Sequence, residues 1–325
     1  TINTSLFKIE YINMTKISIL PSYILCILIF FVMYIVIFHM LDFEKLKSVY
    51  LIAEIGINHN GDIDLARRLI DASSAIGWNC VKFQKRNPDI CVPEDQKLVP
   101  KSTPWGDMTY LEYKKKIEFG KKEYDYINTY CLSKVPVLQW TASVWDLDSL
   151  EFINQYEVPF VKIPSAMLTD IILLEETAKT GKPMIISTGM STIKEVDNAV
   201  NTVIKHGKKP CILHSNSCYP APVEDLNLSI IPYLKERYGC VIGYSGHEYS
   251  VEPSVIAAAL GAQVIERHIT LDHNLWGTDQ KASLTITGMD KLYNRIKDVD
   301  IMIGKPIKTV SEGEKEIRKK LRKKL

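Results

Sequence analysis

From Tyr50 onward, short apolar runs alternate with stretches in which apolar residues recur every three or four positions. The runs are Tyr50 to Ile55, Cys80 to Phe83, Val135 to Trp140, Phe160 to Ile163, Met184 to Ile186, Cys211 to Leu213, Val241 to Ile242 and Gln263 to Ile265. Between them, Asp64 to Ile76, Asp146 to Tyr156, Ile171 to Thr180, Ile193 to His206 and Pro253 to Leu260 carry helical spacing. Short apolar runs bounded by turn residues predict buried strands, and strands alternating with helices predict βα units on a parallel sheet. Eight such units in about 275 residues fit a (β/α)8 TIM barrel, typically ~250 residues, better than an open doubly wound sheet. No Gly-x-Gly-x-x-Gly follows the first strand, which also counts against a dinucleotide-binding sheet.

Three stretches depart from this rhythm. Arg86 to Lys122 contains Pro88, Pro93, Pro100 and Pro104 before a charged run, and reads as a long loop leading into a helix. Such a loop is either a lid over the barrel mouth or, more commonly, a solvated insertion. Lys315 to Leu325 is a basic tail that reads as a solvated helix end rather than a nucleic-acid patch. Ile17 to Leu41 has no Asp, Glu, Lys or Arg and is long enough to span a bilayer. It reads either as a membrane anchor or as sequence upstream of the functional protein, since the chain starts at Thr1 and Met40 stands just before the first strand. The expected organisation is therefore an N-terminal segment over 1–48, a barrel over 49–310 and a tail over 311–325.

Composition narrows the class. The chain has 325 residues, 46% of them hydrophobic, and a formal net charge of +2, so it can bury a sizeable core and gives no bulk signal for nucleic acid. Seven cysteines without a Cys-x-x-Cys pair indicate neither a zinc knuckle nor a disulfide framework. A reducing, cytoplasmic compartment fits, with tethering through residues 17–41 if that run is an anchor.

The chemistry lies at the strand ends. Each apolar run leads into polar residues: Glu54 and Asn58, Lys82 and Gln84, Thr141, Lys162 and Ser165, Ser187, Ser215 and Ser217, Ser245 and His247, Glu266 to His268. In a βα barrel these ends converge on one mouth. Singly, each has a plain explanation: a surface lysine, a helix-capping Ser187, a structural ion pair at Glu54, a histidine hydrogen-bonded in a packed corner. Together they assemble cations, hydroxyl donors, carboxylates and a pair of imidazoles, which suits a phosphorylated, carboxylated substrate and a metal. In a strand Glu266 and His268 share one face and Arg267 the other, and buried charges need partners or a function. His247 and His268, at the ends of neighbouring strands, therefore favour a metal or anion site over passive burial.

The sequence resembles the N-acetylneuraminate (sialic acid) synthase family of phosphoenolpyruvate-dependent synthases over roughly residues 51–307. The likeness rests on A-E-I-G-I-N-H-N-G from Ala53, V-K-F-Q from Val81, K-I-P-S from Lys162, S-T-G-M-S from Ser187, H-S-N-S-C-Y-P-A-P from His214, G-Y-S-G-H from Gly243, E-R-H-I-T from Glu266 and W-G-T-D from Trp276. The resemblance implies condensation of phosphoenolpyruvate with N-acetylmannosamine or a related acylamino sugar, giving a nonulosonic acid and phosphate. It implies His247 and His268 as ligands of a divalent metal, manganese in the usual case and magnesium or cobalt otherwise. Lys82, Thr141, Lys162, Ser165, Ser187, Ser217 and Ser245 match positions around phosphoenolpyruvate; Glu54, Gln84, Tyr219 and Asp279 match the sugar side, with Glu54 or Asp279 expected to move a proton or position water. A homodimer is also implied.

Three departures stand out. Met167 replaces a carboxylate found in many members, Ser217 replaces an Asn found in some, and the chain stops where the family continues into an antifreeze-like domain that reaches the acyl sugar across a dimer. The alternatives are a related synthase that makes another 3-deoxy-ulosonic acid from an aldose phosphate, and a barrel that binds sugar without turning it over.

Overall fold

The computed structural model describes residues 41–323, and the chain from Met40 onward is one compact unit. Most of the apolar run read as either a membrane anchor or upstream sequence, residues 17–40, lies outside the described residues. Among the described residues no helix is long and apolar enough to cross a membrane.

Eight parallel strands close into a barrel. In chain order they are β1 (Tyr50–Gly56), β2 (Cys80–Lys85), β3 (Gln139–Val144), β4 (Val161–Ile163), β5 (Met184–Ser187), β6 (Cys211–Ser215), β7 (Ile242–Gly246) and β8 (Val264–His268), with β1 hydrogen-bonded to both β2 and β8. A principal helix follows each strand: α1 (Ile63–Ile76), α2 (Lys121–Leu132), α3 (Leu147–Asn154), α4 (Ile171–Lys179), α5 (Ile193–Ile204), α6 (Ile230–Tyr238), α7 (Glu252–Ala259) and α8 (Ile286–Ile303). This is the (β/α)8 barrel that the strand and helix periods predict.

The helices start where side chains can satisfy their free N–H groups. Asp62 accepts from Asp64 and Leu65 at the start of α1, Asp146 from Ser149 at α3 and Asp170 from Leu173 at α4. Thr192 and Glu195 form a reciprocal capping box on α5.

The third strand is displaced from its expected place. It runs over Gln139–Val144 rather than Val135 to Trp140, because Pro136 has no N–H to give a ladder and Val135 is 96% exposed. Five of the other seven runs form strands that continue into polar residues, as Lys85, Ser187, Ser215, Ser245 and His268 show, whereas β1 ends at Gly56 and β4 at Ile163. Arg86 to Lys122 is more ordered than a loop: two short helical turns, a hairpin pairing Pro100–Thr103 with Gly106–Thr109, and a helix over Tyr110–Ile117. The basic tail is helical over Glu312–Leu321 and exposed.

Strand alternation sorts residues into two layers. Leu51, Ala53 and Ile55 of β1 pack outward with Val81, Phe83, Ile186, Ile212, Ile242 and Ile265 under the helices. Tyr50 and Ile52 face inward with Cys80, Phe160, Ile185, Cys211, Leu213 and Val264, and Phe43 seats itself on Phe160 at 5.8 Å between ring centroids. That apolar plug fills the lower lumen. Gly243 sits against the next strand so closely that a Cβ there would stand 2.4 Å from the Val264 carbonyl oxygen. Residues one and two periods further along the inward face form the upper lumen.

His59 shows what burial does beside the barrel. Its ring stacks on Phe119 at 3.8 Å and its Nδ1 accepts from the Gly61 N–H, so it stays neutral, pushed down to about 3 chiefly by burial. Below pH 6.5 the unfolded chain takes up a proton here that the folded one refuses, so this share of stability is present above pH 6.5 and lost as the pH falls toward 3. Urea unfolding of the His59→Phe variant between pH 6 and 4 should show a dependence shallower than wild type by about 1.4 kcal/mol per pH unit. Equal slopes would show that the ring is protonated in the fold.

Candidate active site

The upper lumen holds two lysines and two glutamates, all buried. Register aligns Glu54 of β1 with Lys82 of β2 and with His268 of β8. Lys82 Nζ lies 2.6 Å from Glu54 Oε2 and 3.5 Å from Glu266 Oε1. Lys162, from β4 across the lumen, reaches the same Glu266 oxygen at 3.2 Å, and Ser245 Oγ donates to it, also at 3.2 Å. Glu266 Oε2 has no hydrogen-bond partner. Burial opposes the charge on both lysines. For Lys82 the carboxylates of Glu266 and Glu54 overcome it and raise the pKa. For Lys162 burial wins, with Lys82 adding repulsion, and the pKa is lowered. Burial also opposes the Glu266 charge, but Lys162 and Lys82 prevail and hold the carboxyl below its usual range. Lys162 is thus the less compensated cation, in keeping with its single carboxylate partner.

Arg267 points away from this lumen, as the alternation predicts. It is fully buried behind β8, bonded to Glu248 at 2.9 Å, to Ser254 and to the carbonyls of Ser250 and Glu248.

Hydroxyls converge beyond the ends of β4, β5 and β6. The Gly189 N–H donates to Ser165 Oγ at 3.0 Å, which leaves the Ser165 proton free to donate elsewhere. A Cβ on Gly189 would come 2.2 Å from Ser217 Oγ and 2.8 Å from Ser165 Oγ, so the close approach of these groups requires glycine. Ser187 Oγ and Ser215 Oγ are buried without partners. Thr141 differs from them: its hydroxyl donates to the Phe160 carbonyl at 2.6 Å, leaving acceptor capacity alone.

The two histidines lie side by side, their ring centroids 5.5 Å apart. The Asn216 carbonyl can accept and not donate, so the short contact to it places a proton on His247 Nδ1 and leaves the Nε2 lone pair available. Tyr219 stacks on His247 and offers its hydroxyl to Nε2 at 2.8 Å. Burial, then His268, pushes His247 down to about 3, so it is neutral, the ligating form. His268 Nδ1 is buried without a hydrogen bond, 3.6 Å from Asp279 Oδ2. Among the described residues no three His, Cys, Asp or Glu side chains make a full ligand set. These residues fit a divalent cation that takes two protein nitrogens and completes its shell from solvent or substrate.

On the β2 side a chain of contacts leads outward. Gln84 Nε2 donates to Glu54 Oε1 at 3.1 Å, Arg86 donates to Gln84 Oε1, and the guanidinium lies 3.8 Å over the Trp145 ring. The loop after β8, on the other side of β1, packs over the adjoining part of the mouth, with Trp276 edge-on to Tyr113 at 5.2 Å and to Trp105 at 5.5 Å. The insertion therefore covers part of the mouth rather than standing off in solvent.

The pattern that defines the NeuB family matches residues 69–308. The chain belongs to the NeuB family. It is 34% identical to an N,N'-diacetyllegionaminic acid synthase of Campylobacter jejuni over 276 residues, covering 83% of this chain and 82% of that one. It is 36% identical to the N-acetylneuraminate-9-phosphate synthase of Homo sapiens over 275 residues, 84% and 76% of the two chains. A crystal structure of an N-acetylneuraminic acid synthetase from Leptospira borgpetersenii, in complex with citrate, superposes with a TM-score of 0.75 at 32% identity, covering 86% of this chain and 94% of that one.

Every residue singled out from the sequence lies on an upper strand end or on a loop following one. Beyond the residues expected from the sequence, Arg86 and Glu266 also stand at this end of the barrel. Both had a signal: Arg86 continues the two-residue period of Lys82 and Gln84, and Glu266 shares the face of His268. Removing Glu266 would leave two buried ammonium groups short of a counter-charge. Glu266→Ala should lower unfolding stability in urea by about 3–5 kcal/mol. A loss below about 1 kcal/mol would mean that the lysines are not held by this carboxylate.

Proposed function

We propose that this NeuB-family protein joins phosphoenolpyruvate to the aldehyde carbon of N-acetylmannosamine or a related acylamino sugar, giving a nonulosonic acid and phosphate. The observation that carries the reading is the buried lysine pair bridged by Glu266, next to the hydroxyl cradle of Ser165, Gly189 and Ser217. Together they supply two cations and several O–H donors to one small, highly anionic donor molecule. The products named for the legionaminic and neuraminic acid synthases support the choice of acceptor class.

In this reading Lys82 and Lys162 hold the donor's carboxylate and phosphate, Ser165, Ser187, Ser217 and Ser245 orient its oxygens, and Thr141 contributes to the lumen wall. Gln84 and Tyr219 line the acceptor side. The enol electron pair forms the new C–C bond with the aldehyde carbon, whose oxygen takes up a proton. Water adds to the resulting electron-poor C2, and its C–O bond to phosphate breaks. Glu54, tied to Lys82 at 2.6 Å, keeps that lysine charged. Asp279 has no Lys or Arg nitrogen within 4 Å among the described residues, so we assign it the proton transfer or the placement of water. A divalent metal, manganese being the expected one, held by His247 and His268 would polarise the aldehyde carbonyl.

Phosphate release from phosphoenolpyruvate should require both manganese and N-acetylmannosamine or a close relative, with a nine-carbon acid identified by mass. His247→Ala should lose more than the roughly 10–100-fold in activity that removing an outer-shell metal partner costs. Release without acceptor, or near-normal turnover by that variant, would overturn the reading.

A further inference from the structure

The buried pair of Arg267 and Glu248 takes no part in the lumen chemistry, yet it stands beside both histidines in the chain: Glu248 follows His247, and Arg267 precedes His268. The ladder between β7 and β8 runs from Gly243 and Val264 to Gly246 and Arg267. His247 and His268 therefore lie one residue beyond the last backbone rung, where side chains must set their relative position. Arg267 does so on the outer side of β8. One guanidinium nitrogen reaches Glu248 Oε1 at 2.9 Å, the Ser250 carbonyl at 2.8 Å and Ser254 Oγ at 3.1 Å, and the other donates to the Glu248 carbonyl. The Tyr244 hydroxyl donates to Glu248 Oε2 at 2.8 Å. The carboxylate folds back so tightly that a Cβ on Gly246 would stand 2.7 Å from both of its oxygens. A buried ion pair gives a fold little net stability, so what this one supplies is fixed geometry.

We propose that Arg267, locked by Glu248 and Tyr244, is a positioning residue that sets the spacing of His247 and His268 for the divalent cation. A guanidinium suits the task because its planar fork serves a carboxylate and two carbonyls at once, which an ammonium cannot do in one geometry. His247 is already tied to the β6 side, where its carbonyl accepts from the Ala221 N–H at 3.1 Å and its Nδ1 meets the Asn216 carbonyl. Arg267 supplies the tie to β8. This role rests on the reading of the two histidines as metal ligands and adds what fixes their spacing.

Manganese affinity without substrates, read from the electron paramagnetic resonance of the free ion, tests it. Arg267→Lys keeps a charge beside Glu248 but loses the fork, and should raise the manganese Kd about tenfold or more. Tyr244→Phe removes only the hydroxyl that steadies Glu248 and should raise it less, about threefold; it decides the matter if the lysine variant does not fold. Ile153→Val loosens the core on the opposite wall of the barrel and should leave the Kd unchanged. A Kd unmoved in every folded variant of Arg267 and Tyr244, or moved as much by Ile153→Val, overturns the proposal alone. A wild type that binds no manganese overturns the metal reading and the proposal with it.

Discussion

Two ammonium groups and two carboxylates occupy the upper lumen of a barrel whose lower half is filled by aromatic and aliphatic side chains. Those charges are buried from bulk solvent, so each must be balanced by another within a few ångströms. Glu266 carries most of that obligation, because a single oxygen serves Lys82, Lys162 and Ser245 from three strands. The arrangement is not an efficient way to hold a fold together, since ion pairs of this kind barely repay their desolvation. It is an efficient way to keep two cations in a dry place where an incoming anion will feel them strongly.

Strand alternation is what makes this possible. On β1, Tyr50 and Ile52 extend the plug, and Glu54 enters the polar layer on the same face; on β8, Val264, Glu266 and His268 repeat the progression. The outward residues of both strands meet the helices. A one-residue slip would exchange the layers and bury Arg267 in the lumen.

Much of this was legible in the sequence. Strand number, five of the eight principal helices (α1, α3, α4, α5 and α7) and the polar strand ends followed from hydrophobic period and turn residues, and the opposed faces of Glu266 and Arg267 from strand geometry. The third strand was misplaced because its apolar run contains Pro136, whose missing N–H moves pairing to Gln139. Partners across the lumen were not legible: nothing local to Lys162 indicates that it shares an oxygen with Lys82.

The central claim is that the less compensated of the two buried lysines is held ready for the anionic donor. Calorimetric titration of phosphoenolpyruvate, without acceptor or metal, into wild type and Lys162→Met tests it most directly. The account predicts binding to wild type and a loss of about 100-fold or more in the variant, the scale expected for a desolvated charge-assisted contact. Equal affinity in the two proteins, with the variant folded, would contradict it.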